Sequence, residues 1–249
     1  MRIGSGWCLT AIGVALALIS PAGAADHDAL WRIVSTQCLP HYQAAQNPAP
    51  CAAVDTADGY AVLKDRNGAY QFLLIPTRPI SGIEDPALLA PGAINYWQAA
   101  WQARRYVENA LGHPLSRDRL SLAVNSRSGR SQDQLHIHID CIGETAWRAL
   151  RAGENRITAQ WSSLSIAGHP YQVRRIEGET LDNADPFEIV AGTLPAAKQA
   201  MADYTIFVAG AVFADGKPGF YLLVDRAFSV PGDYAHAEEL QDHNCSLAN

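Results

Sequence analysis

The sequence predicts an α+β fold, an antiparallel sheet with helices set apart from it. Three observations lead there. Tyr60 to Lys64 and Tyr70 to Ile75 are strand-like runs joined by Asp65-Arg66-Asn67-Gly68, and Asn-Gly between such runs is a strong hairpin signal. Thr205 to Phe213 and Phe220 to Val224 form a second pair around Asp215-Gly216. The stretches at helical spacing stand apart from both hairpins.

In chain order, Ala29 to Cys38 reads as a short helix, with Leu30, Ile33 and Val34 on one face. After the first hairpin, Pro76 and Pro79 end the second strand. Ala87 to Leu111 carries Leu88, Ile94, Trp97, Trp101 and Leu111 at helical spacing, with a break near Pro91-Gly92 and Gly112 just past its end. Trp97 and Trp101 are read as core packing, given how aromatics are usually buried. Leu120 to Val124 is a strand, Asn125 to Gln132 a polar loop, and Leu135 to Ile142 the central strand. A helix around Ala146 to Ala152 follows, then strands at Ala159 to Ile166 and Tyr171 to Ile176 about a Gly168-His169-Pro170 turn. Pro186 to Val190 and Ala196 to Asp203 read as helices before the last hairpin, whose loose likeness to the first suggests a decayed duplication.

The 249 residues suffice for one large domain or two small ones. A net charge of -6 and the absence of any run of Lys or Arg argue against a partner recognised through nucleic-acid phosphates. Arg2, the apolar run Trp7 to Ile19, Ser20-Pro21 and Ala22-Gly23-Ala24 form the tripartite pattern of a secretory signal. An N-terminal membrane anchor is the alternative for residues 1–25; either puts residues 26–249 outside the cytoplasm. Four cysteines remain, and an oxidising compartment favours two disulfides. Cys38 and Cys51 flank a Pro-rich segment and are paired first, which leaves Cys141 for Cys245.

The chemistry concentrates in Gln134 to Cys141, QLHIHIDC. On a strand, His136, His138 and Asp140 share one face while Leu135, Ile137, Ile139 and Cys141 share the other. Three readings fit. The histidines could be merely hydrogen-bonded on a half-buried strand. They could hold a metal, although Cys141 stands where the HxHxDH signature of metallo-β-lactamases needs a histidine. Or a neutral imidazole could attack phosphorus to form a phosphoramidate, its opposite nitrogen held by a hydrogen bond. The preceding loop, with Ser126, Arg127, Ser128, Arg130, Ser131 and backbone N–H groups around Gly129, would then supply donors for developing charge.

At Asn125, Gln132, His136 and His138 the sequence resembles the histidine-triad superfamily of nucleotidyl hydrolases and transferases, in both the Asn-to-Gln and the Gln-to-His spacing. YAVLKDRNGAYQFLLIPTRPISGIED is similar to that superfamily's strand-turn-strand. Within it, LWRIVSTQC, NPAPC, SGRSQ-x-x-x-HIHI-x-C and the final DHNC resemble the CDP-diacylglycerol pyrophosphatase family nearly end to end. The resemblance implies hydrolysis of CDP-diacylglycerol to CMP and phosphatidate on a triad-like sheet that the C-terminal half extends, with no cofactor or metal. It implies His138 as nucleophile, His136 as its orienting neighbour, Gln132 on the bridging or leaving oxygen and Asn125 fixing the histidine face. Ser131, Arg130, Asp140 and Lys64 are expected to bind substrate. Asp140 departs from the pattern, which has a third histidine there. The expected partners are the nucleotide-lipid, an inner-membrane surface on its periplasmic side, and either a second copy or a pseudo-dimer within the chain. Another nucleotide pyrophosphate as substrate, and a non-catalytic nucleotide- or lipid-binding protein, are the alternatives.

Overall fold

The computed structural model describes Met1 and residues 26–248, so the expected signal or anchor lies outside the described residues. Ten strands form one sheet: β1 (Ala53–Asp55), β2 (Tyr60–Lys64), β3 (Phe72–Pro76), β4 (Leu120–Val124), β5 (Ile137–Ile142), β6 (Ser162–Ile166), β7 (His169–Glu177), β8 (Tyr204–Val212), β9 (Pro218–Arg226) and β10 (Gln241–Asp242). The order is β1-β2-β3-β5-β4-β8-β9-β7-β6, with β10 added beside the end of β5. Every pairing is antiparallel.

The helices are α1 (Ala29–Ile33), α2 (Leu39–Ala45), α3 (Tyr96–Ala103), α4 (Arg105–Leu111), α5 (Glu144–Gly153), α6 (Pro186–Thr193) and α7 (Ala197–Ala200). Hairpin, helix pair, hairpin therefore occurs twice: β2-β3, α3-α4, β4-β5, then β6-β7, α6-α7, β8-β9. The strand order mirrors about the β4–β8 junction. The last hairpin thus corresponds to β4-β5, and β6-β7 is the counterpart of the Tyr60 to Ile75 hairpin it was likened to. Hairpins of similar turn chemistry look alike in sequence, and only pairing order tells them apart.

One face of the sheet carries the larger core, under α3, α4 and α6. Trp97 and Trp101 are buried there, Trp97 against Phe187 and Trp101 edge-on to Phe220. Alternation sends Leu135, Ile137, Ile139 and Cys141 to the same core. The reverse face has two separate apolar clusters. Ala146 and Leu150 of α5 cover Tyr171, Phe207 and Leu223 at one side. Val34 and Cys38 cover Ala61, Leu63, Leu73 and Ile75 at the other. Between them the reverse face of β5 presents His136, His138 and Asp140, all buried.

The N-terminal helical stretch does not stop at Cys38 as its periodicity predicts. It continues through a π-helical turn, Val34–Cys38, into α2. Pro40 falls in the first turn of α2, where a missing N–H costs little. The chain reverses at Gln46, in a left-handed conformation, and returns Cys51 to Cys38.

The second disulfide, Cys141–Cys245, ties β5 to residues 236–245 across a separation of 104 residues. That segment crosses the reverse face as a strap: Gly143 N donates to Leu240 O, and Gln241 Nε2 reaches Ser121 and the His138 carbonyl. Gly68 backs onto it at φ +67, where an added Cβ would meet His243 Cβ at 2.5 Å, so the Asn67-Gly68 turn needs glycine for both conformation and space. Two disulfides fit an exported protein. No helix among the described residues is long and apolar enough to cross a membrane. Replacing Cys141 and Cys245 together by alanine will lower the unfolding free energy by about 2–5 kcal/mol, measured by urea titration under non-reducing conditions. An unchanged midpoint would contradict the strap's structural role.

Candidate functional site

β5 is central because β3 and β4 flank it, which fixes His138 opposite Leu73 on one side and Ala123 on the other. Pleating then aims His136 and His138 into the slot between the reverse-face clusters. Their rings meet edge to face, centroids 4.8 Å apart. His136 Nδ1 lies 2.7 Å from Gln134 O, so this nitrogen carries the proton and donates it to the carbonyl.

Nδ1 of His138 faces two groups, Gln71 Nε2 at 3.0 Å and Glu238 Oε1 at 3.4 Å. Its Nε2 is buried without any hydrogen-bond partner. Burial first, then the neighbouring His136, holds the His138 imidazole below the usual histidine pKa, so it is neutral at physiological pH. Burial likewise lowers His136.

Glu238 is the hub. Oε1 accepts from Gln71 Nε2 at 3.1 Å and Oε2 accepts from Asn125 Nδ2 at 3.3 Å. His236 Nε2 stands 3.2 Å from Oε2, and His243 Nε2 3.7 Å from Oε1. Burial would raise this carboxyl, but the contacts with His236, His138 and Gln71 overcome it and hold Glu238 ionised. Asn125 closes the arrangement by accepting from Glu238 N at 3.3 Å.

Asp140 finds its partner on the strap. His243 Nδ1 lies 2.6 Å from Asp140 Oδ2, and Cys141 N donates to Oδ1 at 2.8 Å. The bond to Asp140 lifts His243 above the ordinary histidine range, whereas burial pushes the Asp140 carboxyl up. Both shifts favour keeping one proton between them. An imidazole therefore stands beside β5 near the position where the triad pattern has a histidine, supplied from 103 residues away.

The structure thus brings His136, His138, Asp140 and Asn125 together. Gln132 is directed elsewhere: its Oε1 accepts from Leu30 N and its Nε2 donates to Asp26 O and Ser131 O, and Gln71 takes the place beside His138. Arg130 is engaged internally, with Nη1 and Nη2 on the two oxygens of Glu84 and Nη2 also on Asp133. Burial would raise Glu84, but Arg130 overcomes this and holds it at about 2. The paired guanidinium is a brace for the loop, and Gly82 leaves room for it. Ser131 is exposed. Lys64 Nζ donates to Asp65 O and Gly68 O within its own hairpin. The N–H groups of Ser128 and Gly129 donate to Ser126 Oγ, Arg130 N to Ser126 O, and Ser126 N and Arg127 N to the carbonyls of Ala235 and Ala202, so these backbone donors are engaged within the protein.

Gln71 and Glu238 escape a reading centred on QLHIHIDC, and His236 and His243 enter it, with His169, only as further metal ligands that no spacing supports. One signal for His243 was present: if Cys141 bonds Cys245, Asp140 and His243 stand one and two residues from the bridge. A hollow of about 670 Å³ lined by Glu154, Arg174, Arg175, Ile189 and Asp215 shares no residue with the histidine cluster and is lined by no histidine or cysteine. Asp65, His138 and Glu238 also offer ligand atoms within 4.8 Å of one another, a spacing a metal ion could use.

The family model described as CDP-diacylglycerol pyrophosphatase matches residues 25–249. A relative from Yersinia pestis, named CDP-diacylglycerol pyrophosphatase, is 44% identical over 241 residues, which covers 96% of this chain and 92% of the relative. The chain belongs to the CDP-diacylglycerol pyrophosphatase family.

A histidine whose pKa rises on folding adds stability that is complete below its unfolded value, about 6.5, and lost as pH climbs through the raised value. His243 will accordingly titrate above the ordinary histidine value in a ¹H–¹⁵N spectrum, and Asp140→Asn will move it down. No movement in that variant would contradict the pairing.

Proposed function

We propose, taking family membership as the premise, that this enzyme hydrolyses the pyrophosphate bond of CDP-diacylglycerol to CMP and phosphatidate through a cytidylyl intermediate on His138 Nε2. One observation carries the reading: Nε2 of His138 is buried and unpartnered while Nδ1 faces the Glu238 carboxylate. A buried nitrogen with no protein partner is a costly arrangement, and a phosphorus atom is a fitting occupant for its lone pair.

The reacting tautomer carries its proton on Nδ1, turned toward Glu238 Oε1 3.4 Å away, with the Gln71 amide donating to that carboxylate and not to the ring. Nε2 forms a bond to the cytidylyl phosphorus as the bridging P–O bond breaks, and phosphatidate departs with that electron pair. A water oxygen then forms the new P–O bond and releases a proton to solvent, the N–P bond breaks with its electron pair returning to Nε2, and CMP leaves with His138 restored. Attack makes the imidazole cationic, so its attraction to Glu238 grows as the transition state is approached. That differential interaction is what accelerates a step. Gln71 and Asn125 are positioning residues through Glu238. His236 and His243, both partly exposed beside Glu238, are placed to meet the phosphoryl oxygens. His243, whose protonated form the bond to Asp140 favours, supplies the positive charge. Phosphatidate is a weakly basic leaving group, so charge neutralisation matters here more than full protonation.

A metal-assisted hydrolysis through Asp65, His138 and Glu238 is the second reading, on the strength of their spacing. Exposure to EDTA followed by assay separates the two, since loss of activity restored by zinc would favour the metal. We further propose that the enzyme acts at the periplasmic side of the inner membrane.

His138→Ala will lower turnover of CDP-diacylglycerol by at least about 10⁴-fold, the scale seen when a covalent nucleophile is removed, with a native circular-dichroism spectrum as the fold control. Acid-quenched protein incubated with cytidine-labelled substrate will carry label on His138; retained activity in the variant would refute the mechanism. Glu238→Gln will lower kcat by about 10²–10⁴-fold, with a smaller effect on KM.

A further inference from the structure

Apart from Met1, the two most exposed large hydrophobic side chains among the described residues are Phe228 and Tyr234, at 66% and 55%. They lie on one loop, residues 226–236, between β9 and the strap that supplies His236 and Glu238. Their rings pack edge to face, centroids 5.7 Å apart. Two aromatic rings held together in water, the exposed pair among the described aromatics, mark a contact surface.

The loop that carries them is built to hold this shape. Phe228 N donates to Asp233 O at 2.7 Å, and Asp233 N to Val230 O at 3.2 Å. The Ser229 hydroxyl lies between Asp225 Oδ1 at 3.2 Å and Asp233 Oδ2 at 3.0 Å. Both aspartates are almost fully buried, and His169 Nδ1 stands 3.0 Å from Asp233 Oδ2 to offset the charge. Phe228 and Ala235 adopt left-handed backbone, φ +63 and +52, a strained choice for residues with a Cβ. Buried carboxylates and backbone strain are together spent on pointing two aromatic rings at solvent.

The same loop abuts the histidine site. Ser126, next to Asn125, donates from N to Ala235 O at 3.1 Å and from Oγ to Tyr234 O. An added Cβ on Gly129 would meet the carbonyls of Ala235 and Tyr234 at about 3 Å, so the two loops are in close backbone contact. Two residues past Tyr234, His236 contacts Glu238.

We infer that Phe228 and Tyr234 form an interfacial anchor that seats this rim of the protein in the headgroup–acyl boundary of a phospholipid bilayer, bringing the histidine site to a pyrophosphate held at the membrane surface. This rests on the lipid-linked substrate proposed above. The chemistry suits the occupant: phenylalanine gains by leaving water, and tyrosine has an apolar ring with a polar tip that favours the interface. The net charge of -6 offers no general attraction to an anionic bilayer, so apolar contact must supply the adhesion.

The test uses the full chain with vesicles of phosphatidylcholine and phosphatidylglycerol, compared with Phe228→Ser/Tyr234→Ser. Hydrogen exchange of residues 226–236 should slow on adding vesicles to the wild type, and this slowing should be absent in the double variant. Exchange in that segment unaltered by vesicles overturns the inference, whether or not the chain binds vesicles elsewhere. In the second arm, turnover of CDP-diacylglycerol in vesicles is divided by turnover of a short-chain, water-soluble analogue. The double variant should lower this ratio about tenfold or more, from the transfer of two aromatic side chains, and Tyr234→Trp should keep it. An equal loss on both substrates would place the two residues in folding or chemistry and also overturns the inference. Failure of the wild type to cleave either substrate would sink the proposed function, while the exchange measurement still decides the anchor.

Discussion

The site depends on keeping one carboxylate, that of Glu238, ionised in a slot from which most water is excluded. An isolated buried charge would cost several kcal/mol, and Glu238 avoids this by drawing in partners from separate parts of the chain. Gln71 comes from the approach to β3, Asn125 from the end of β4, His138 from β5, and His236 and His243 from the strap. Each of these groups is held in turn by Glu238. Removing the carboxylate leaves buried imidazoles and amides unpaired, and removing the partners leaves an uncompensated anion. The surroundings of His138 are therefore set by a mutual requirement among polar groups.

The duplicated architecture provides the place for this slot. Two hairpin–helix pair–hairpin units join edge to edge through β4 and β8, so β5 lies well inside the sheet and is paired on both sides. The second unit repeats the topology with a different reverse face. β9, the counterpart of β5, shows Tyr221 and Leu223 there, and α5 covers them with Ala146 and Leu150. One half has kept a polar slot and the other has closed its equivalent with apolar packing. Packing on both flanks of β5 makes the histidine position rigid, because close-packed clusters deform little.

Much of this was legible from residue pattern. Alternation along QLHIHIDC separated the core side from the polar side, and both sides are found where the period of two puts them. The hairpin around Asn67-Gly68, the burial of Trp97 and Trp101 and both disulfides follow from local turn chemistry, helical spacing and compartment. Three residues expected at the substrate have other partners in the structure. Gln132 and Arg130 lie near the histidines in sequence, whereas Lys64 is on β2, 72 residues before His136. Each has found a nearer partner: Gln132 the α1 backbone, Arg130 the Glu84 carboxylate, Lys64 its own turn. Long side chains choose among partners within reach in space, and a linear reading does not order those distances. Phe228 and Tyr234 show the same limit, since no pattern in the sequence sets these two rings, held out in solvent, apart from the aromatics that are buried.

By itself the sequence determined the quantities that depend on neighbours along the chain: the α+β class, the strand that carries His136 and His138, the family resemblance and the two cysteine pairs. The tertiary structure alone decided which polar groups complete the site, bringing Gln71, Glu238 and His243 to β5. The physical reason is that a hydrogen bond is made at about 3 Å with a defined direction. Only the folded sheet, with the strap tied to it by Cys141–Cys245, sets groups from opposite ends of the chain at that distance. The position where the triad pattern departs, Asp140, is the clearest case. Alone it is a carboxylate in place of a histidine; folded, it holds a histidine from the other end of the protein.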